Sequence, residues 1–264
     1  MKTTITTLQK MYQDGEKFAI LTCYDALFAT ILENCGIDVL LVGDSLGNVI
    51  QGETTTLSVT LDNMIYHTRC VSRGAEKAFI MADMPFGTAQ LSPGQTFDNA
   101  TKLLAAGAQM VKIEGGQIMA ETIHFLTQRG IPVCAHIGLT PQSVHQLGGY
   151  RIQGNTDSAE KQLIEDAQIL EQSGATFLLM EMIPATLAKQ ITDILTIPSI
   201  GIGAGRACSA QVLVLHDMLG LYQGKKAKFV KNFMANAGSI QEAVSDYVNA
   251  VKTNQFPASE HEFQ

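Results

Sequence analysis

The chain carries little charge for its length: of 264 residues only 16% are Asp, Glu, Lys or Arg, while 46% are hydrophobic. That balance describes a globular chain able to bury a large core, sized for one α/β barrel or two small domains. Long apolar runs are missing. None approaches the roughly 18 residues of a membrane span, and the amino-terminal MKTTITTLQK has no apolar stretch of the signal-peptide kind. The expectation is a cytoplasmic protein with no membrane partner. Paired cysteines are missing too: Cys23, Cys35, Cys70, Cys134 and Cys208 are scattered, odd in number and form no C-x-x-C, which argues against a disulfide framework or a zinc site. They read as reduced packing residues. A basic surface is also lacking, since the net charge is −7, so nucleic acid is not the expected partner. The local exception is KKAKFVK, Lys225 to Lys231, with four lysines. It reads as a solvated helix start or, alternatively, as a patch attracting an anionic ligand.

What is present is alternation. Short apolar runs rich in β-branched residues recur between segments of helical period: FAIL (18–21), IDVLLV (37–42), AFIMA (78–82), MVKI (110–113), IPVCA (131–135), TFLLM (176–180), IPSIGI (197–202) and, less clearly, QVLVL (211–215). Eight such runs match a closed parallel barrel covered by helices. The intervening LDNMIYHTRCVSRG is predicted to be a helix ending on Gly74, and SPGQTFDNATKLLAAG a helix capped by Ser92 with Pro93 at its first position. No low-complexity linker interrupts the series, so 1–264 reads as one barrel domain with additional carboxyl-terminal helices. The rival, an open dinucleotide-binding sheet, needs an early G-x-G-x-x-G. The nearest match, GIGAGR, is late and has Arg206 at the third glycine position.

In a parallel barrel all strand carboxyl ends open on one face, so residues there converge. Reading them in order gives Tyr24-Asp25, Asp44-Ser45, Asp83, Lys112 and Glu114, His136, Glu181 and the glycine loop. The strand period of two puts Lys112 and Glu114 on one side, as a catalytic pair or as a structural ion pair. Asp44, Asp83 and Glu114 are hard oxygen donors without thiolates or clustered histidines, a set that suits Mg²⁺; singly, each also serves as a loop or helix cap. Glu181 stands between FLLM and MIP, an apolar setting that would raise a carboxyl toward the range of a general base. His136 is either a functional imidazole or a satisfied core residue, and His67 and His124 fall in helices.

At these positions the sequence resembles the ketopantoate hydroxymethyltransferase family through LVGDSLG (41–47), TLDNMIYHTRCVSRG (60–74), MADMPFG (81–87), MVKIEGG (110–116), HIGLTPQSV (136–144) and IPSIGIGAG (197–205), in order along nearly the whole chain. The resemblance implies a (β/α)8 TIM barrel of the phosphoenolpyruvate mutase/isocitrate lyase type, one Mg²⁺ per subunit, and a homodecamer of two stacked pentamers. It implies transfer of a one-carbon unit from 5,10-methylenetetrahydrofolate, as co-substrate, to 3-methyl-2-oxobutanoate. Position by position, Asp44 and Asp83 match metal-binding aspartates and substrate neighbours, and Glu114 matches the third metal-associated acid. Ser45, Lys112 and His136 match substrate contacts, and Glu181 matches the base. The chain departs from the family's usual pattern at Ser58, Ser209-Ala210 and Ala227. Other readings are a carbon–carbon lyase or mutase on a different 2-oxo acid, a Schiff base on Lys112, and a catalytically silent binding barrel.

Overall fold

The computed structural model describes residues 2–221 and 226–264. Eight strands, β1 (Phe18–Thr22), β2 (Val39–Val42), β3 (Phe79–Asp83), β4 (Met110–Glu114), β5 (Val133–Gly138), β6 (Phe177–Glu181), β7 (Ser199–Ile202) and β8 (Ala210–Leu213), form a closed barrel in chain order. Every neighbouring pair is parallel, β1 with β8 included. The helices are α1 (Ile5–Gln13), α2 (Ala26–Asn34), α3 (Leu46–Val49), α4 (Leu61–Gly74), α5 (Pro93–Ala106), α6 (Ala120–Thr127), α7 (Val144–Leu147), α8 (Asp157–Gln172), α9 (Ala185–Ile194), α10 (Leu215–Met218) and α11 (Ile240–Lys252). No helix among the described residues is long and apolar enough to cross a membrane.

Alternation along the strands divides the core in two. Phe18, Ile20, Val39, Leu41, Phe79, Met81, Phe177 and Leu179 fill the barrel interior as one buried cluster. Their neighbours in sequence, among them Ala19, Leu21, Leu40, Ile80, Val111 and Leu178, face the helices in a second and larger cluster. Helix α1 belongs to the inner cluster: Leu8 is wholly buried in it, and Ile5 and Met11 pack against it. Thr4 and Thr7 cap its first turn reciprocally. It stoppers the amino-terminal end of the barrel, a role its short sequence did not announce.

Ser92 caps α5 as expected, accepting the Gln95 N–H at 3.2 Å, with Pro93 opening the helix. Gly74 has a different reason from the one expected. It is the last residue of α4, Ala75 follows in extended conformation, and a Cβ at 74 would overlap the Ala26 carbonyl at the start of α2. The glycine permits two helices to touch rather than turning the chain. Gly203, at φ +62°, lies where a Cβ would come within 2.8 Å of the Phe229 ring, so the GIGAG turn serves close packing.

The lysine run is not a helix start. Lys225 lies outside the described residues, and 226–231 form a non-helical loop. Phe229 is buried against Phe263, and Lys228 donates to the Glu262 carbonyl. The apolar residues inside the run pull it onto the barrel. All five cysteines are free.

Candidate active site

The inward-facing series of β3 to β6 begins apolar and ends ionisable. Met81 gives way to Asp83, Met110 to Lys112 and Glu114, Cys134 to His136, and Leu179 to Glu181. Strand register sets Asp83 beside Lys112 and Glu114 beside His136. Asp83, His136 and Glu181 therefore lie within the last strand residues, where the sequence reading placed them just beyond. Asp44 and Ser45 follow β2 at the head of α3. All seven line one cavity of about 950 Å³ at the carboxyl-terminal mouth, roofed by the 226–230 loop and Phe263.

Within it, Asp83 accepts the Asp44 backbone N–H on Oδ2 at 3.0 Å. The Lys112 ammonium lies 3.2 Å from Asp83 Oδ1, 3.8 Å from Glu114 Oε1 and 3.1 Å from His136 Nδ1. His136 Nδ1 is 3.5 Å from Glu114 Oε1, and its Nε2 is 3.3 Å from Glu181 Oε2. A neutral imidazole accepts from Lys112 and presents Nε2–H to Glu181; a protonated one turns both N–H groups toward carboxylates. The Ser45 hydroxyl is 2.9 Å from the Tyr24 hydroxyl.

Burial and neighbouring charge set the protonation states. Burial pushes the Asp44 carboxyl well above the usual carboxylate range, and the charges of Asp83 and Glu114 push it further. Burial works against the Lys112 ammonium, but Asp83, Glu114 and Asp44 around it hold its pKa above the ordinary lysine value. Burial would likewise lift Glu114; the His136 hydrogen bond and charge, then Lys112, outweigh it and keep the carboxyl below its ordinary value. For His136, burial and Lys112 act downward, and Glu114 and Glu181 prevail to raise it. Glu181 is not enclosed by apolar groups alone: its side chain is 14% exposed and faces the imidazole.

One residue at this face, Gln142, was not singled out in the sequence, and Tyr24, read there only as a strand-end residue, has a definite place. Gln142, 5% exposed, donates from Nε2 to Asp44 Oδ2 at 2.8 Å and to the Met84 carbonyl at 2.9 Å, and its backbone N–H meets Glu114 Oε2 at 2.9 Å. The available signal was its place in TPQS, just past β5 on the active face. Tyr24 is buried behind Ser45, and its carbonyl is bonded to His67 Nδ1 at 2.7 Å. Asp25, one of the strand-end acids, is absent from the cluster: it is exposed and caps α2 through the Phe28 N–H.

Among the described residues, no group of three or more His, Cys, Asp and Glu side chains is placed to surround a metal ion. Glu114 turns its oxygens toward Gln142, Lys112 and His136. The Asp44–Asp83 pair nevertheless fits a hard divalent cation. Two buried carboxylates adjoin, Asp44 is driven toward its neutral form by burial and by its anionic neighbours, and Asp83 Oδ1 and Glu114 Oε1 are buried with no partner beyond Lys112 and His136. A cation beside Asp44 and Asp83 would relieve both conditions.

The family described as Ketopantoate hydroxymethyltransferase matches residues 2–259 of this chain. The chain is 69% identical over 263 residues to a 3-methyl-2-oxobutanoate hydroxymethyltransferase of Nitrosospira multiformis, covering 100% of both. It is 66% identical over 260 residues to one of Nitrosomonas europaea, covering 98% of this chain and 97% of that one. Among solved structures, 2,3-dimethylmalate lyase, a PEP mutase/isocitrate lyase superfamily member, aligns with a TM-score of 0.61 at 17% identity over 98% of this chain and 100% of that one. Phosphonopyruvate hydrolase complexed with oxalate and Mg²⁺ aligns with a TM-score of 0.64 at 12% identity over 84% and 83%. The distant likenesses bear on the fold alone, a (β/α)8 barrel of the PEP mutase/isocitrate lyase type. With a match running from residue 2 to residue 259, the chain belongs to the ketopantoate hydroxymethyltransferase family.

Proposed function

We propose that this protein is a transferase that moves a one-carbon unit from 5,10-methylenetetrahydrofolate to 3-methyl-2-oxobutanoate, yielding 2-dehydropantoate for pantothenate synthesis. The observation that carries the reading is the convergence of Asp44, Asp83, Lys112, Glu114, His136 and Glu181 in one cavity of a chain belonging to this family. The chemistry requires a proton to leave C3, next to a ketone, so that C3 can attack the donor's methylene carbon.

The cluster divides that work. Asp44 and Asp83 would hold one Mg²⁺ per subunit, with Glu114 behind them; when bound, the ion supplies Lewis-acid stabilisation of charge developing on the keto oxygen. Lys112 and the Ser45 hydroxyl, steadied by Tyr24, bind the substrate carboxylate and fix the plane of the reacting carbons. Leu41, Leu179 and Val212 at the cavity floor receive the isopropyl group. Glu181 takes the C3 proton, and His136, 3.3 Å away, orients that carboxylate and contacts the substrate.

Residues 1–264 form one domain in this reading and assemble as a cytoplasmic homodecamer. Leu27 and Tyr66, 71% and 65% exposed on the adjoining α2 and α4, offer apolar surface for assembly. The test of function is product formation followed by NMR with the oxo acid, the folate donor and Mg²⁺, and its loss with EDTA. Cleavage of other 2-oxo acids without folate, in place of hydroxymethyl transfer, would instead favour the lyase reading.

A further inference from the structure

Gln142 holds its amide in a fixed sense. An amide of this kind presents a carbonyl on one side and an NH₂ on the other, and only its partners decide which faces which way. Here the partners form a one-way series. The Gly87 and Ala89 backbone N–H groups, which can only donate, bond to Gln90 Oε1 at 2.8 and 3.2 Å. Gln90 must then present its NH₂ to Gln142, and does so to Oε1 at 3.2 Å. The Gln142 NH₂ is left to face the Met84 carbonyl, which can only accept, and Asp44 Oδ2. Both N–H bonds of this buried amide are used, and its backbone N–H holds Glu114 at the same time.

From this geometry we infer that Gln142 is a positioning residue for the cation site: it pins Oδ2 of Asp44, leaving Oδ1 to bind, with Gln90 fixing the sense of the amide from the surface. The inference rests on the reading that Asp44 and Asp83 hold a divalent cation. Gln142 itself touches neither cation nor substrate in this assignment. It acts by removing the rotational freedom of the Asp44 carboxylate.

Mn²⁺, which shares the preference of Mg²⁺ for hard octahedral oxygen sites, serves as the probe. Its binding to the metal-free protein is read from the electron paramagnetic resonance signal of the free ion, without turnover. Gln142→Met keeps length and volume but removes donor and acceptor. Its Mn²⁺ dissociation constant should rise about 10- to 100-fold, the usual effect of losing a partner that orients a ligand. Gln90→Glu, on an exposed loop, is the sharper variant. A carboxylate there cannot donate to Gln142 Oε1 and faces it as a second acceptor, so the amide loses its outer anchor and its hold on Asp44 Oδ2 loosens. The added negative charge would by itself strengthen cation binding, so weaker Mn²⁺ binding in Gln90→Glu supports the inference against the simple charge effect. Should Gln142→Met fail to fold by circular dichroism, Gln90→Glu decides alone. Parental affinity in a folded Gln142→Met, or parental or tighter affinity in Gln90→Glu, overturns the role of Gln142 while leaving the cation site standing. A parent protein that binds no Mn²⁺ overturns the cation reading and this inference with it.

Discussion

Asp83 and Lys112 are register partners on β3 and β4, and their inward-pointing side chains meet at 3.2 Å in a setting where both are about 95% buried. Among the described residues, the lysine is the one fixed cation in contact with the cavity acids Asp83 and Glu114, with His136 charged only when protonated.

Lys112→Met should therefore leave buried carboxylates uncompensated. A loss of about 3–5 kcal/mol at neutral pH is expected from removing one partner of a buried pair. Urea denaturation checks it, and added Mg²⁺ should restore part of the loss. Unchanged stability without the ion would show that solvent reaches these acids.

Asp83→Asn retains an acceptor for the Asp44 N–H but gives up the anionic donor. The fold should persist, and the Mg²⁺ concentration for half-maximal rate should rise by at least about tenfold, the lower end of what even an indirect metal partner contributes. Near-normal rates at low Mg²⁺ would remove Asp83 from the site.

His136 carries a raised pKa in the folded state. Its contribution to stability is complete below the unfolded value of about 6.5 and fades as pH rises through the folded value. Urea unfolding of the metal-free protein from pH 5.5 upward, about a unit below that reference, should show a downward trend that His136→Gln lacks. Parallel curves for the two proteins would contradict the raised value.

Glu181→Gln keeps size and hydrogen-bonding reach but cannot take a proton. Exchange of the C3 hydrogen of 3-methyl-2-oxobutanoate in D₂O, with Mg²⁺ and no folate, should slow by at least about 100-fold, as for loss of a positioned base. NMR follows it directly. Exchange as fast as in the parent would move the base to His136.

The assembly is checked by light scattering, which should give a mass far above 28.5 kDa. A monomer at micromolar concentration refutes the decamer.

Much of this arrangement was legible in the residues. All eight apolar runs became strands, because a barrel strand buried on both faces must be apolar along most of its length. Their ends were displaced by one to three residues where an inward-pointing ionisable side chain prolongs the strand, as at Asp83, His136 and Glu181. The period of two put Lys112 and Glu114 on the same side, and both face the cavity. Asp25 misled because a helix cap and a cavity acid occupy the same position in the chain and differ only in which way they point. Gln142 escaped notice because a neutral amide advertises no chemistry until its partners are seen. The 226–231 loop was concealed by its lysines, whereas Phe229 determines where it lies.

The stopper that α1 makes at the amino-terminal end has a kinetic corollary. With Leu8 closing the interior from below, the approach to Glu181 among the described residues is through the mouth lined by Phe229 and Phe263. On the proposed reading, two reactants of very different size then share that mouth. Under the proposed function, the small oxo acid, its carboxylate on Lys112, would enter ahead of the bulkier folate donor. The lengthened acid would then depart after the spent carrier, so on that reading a plugged barrel implies an ordered sequence of arrivals and departures.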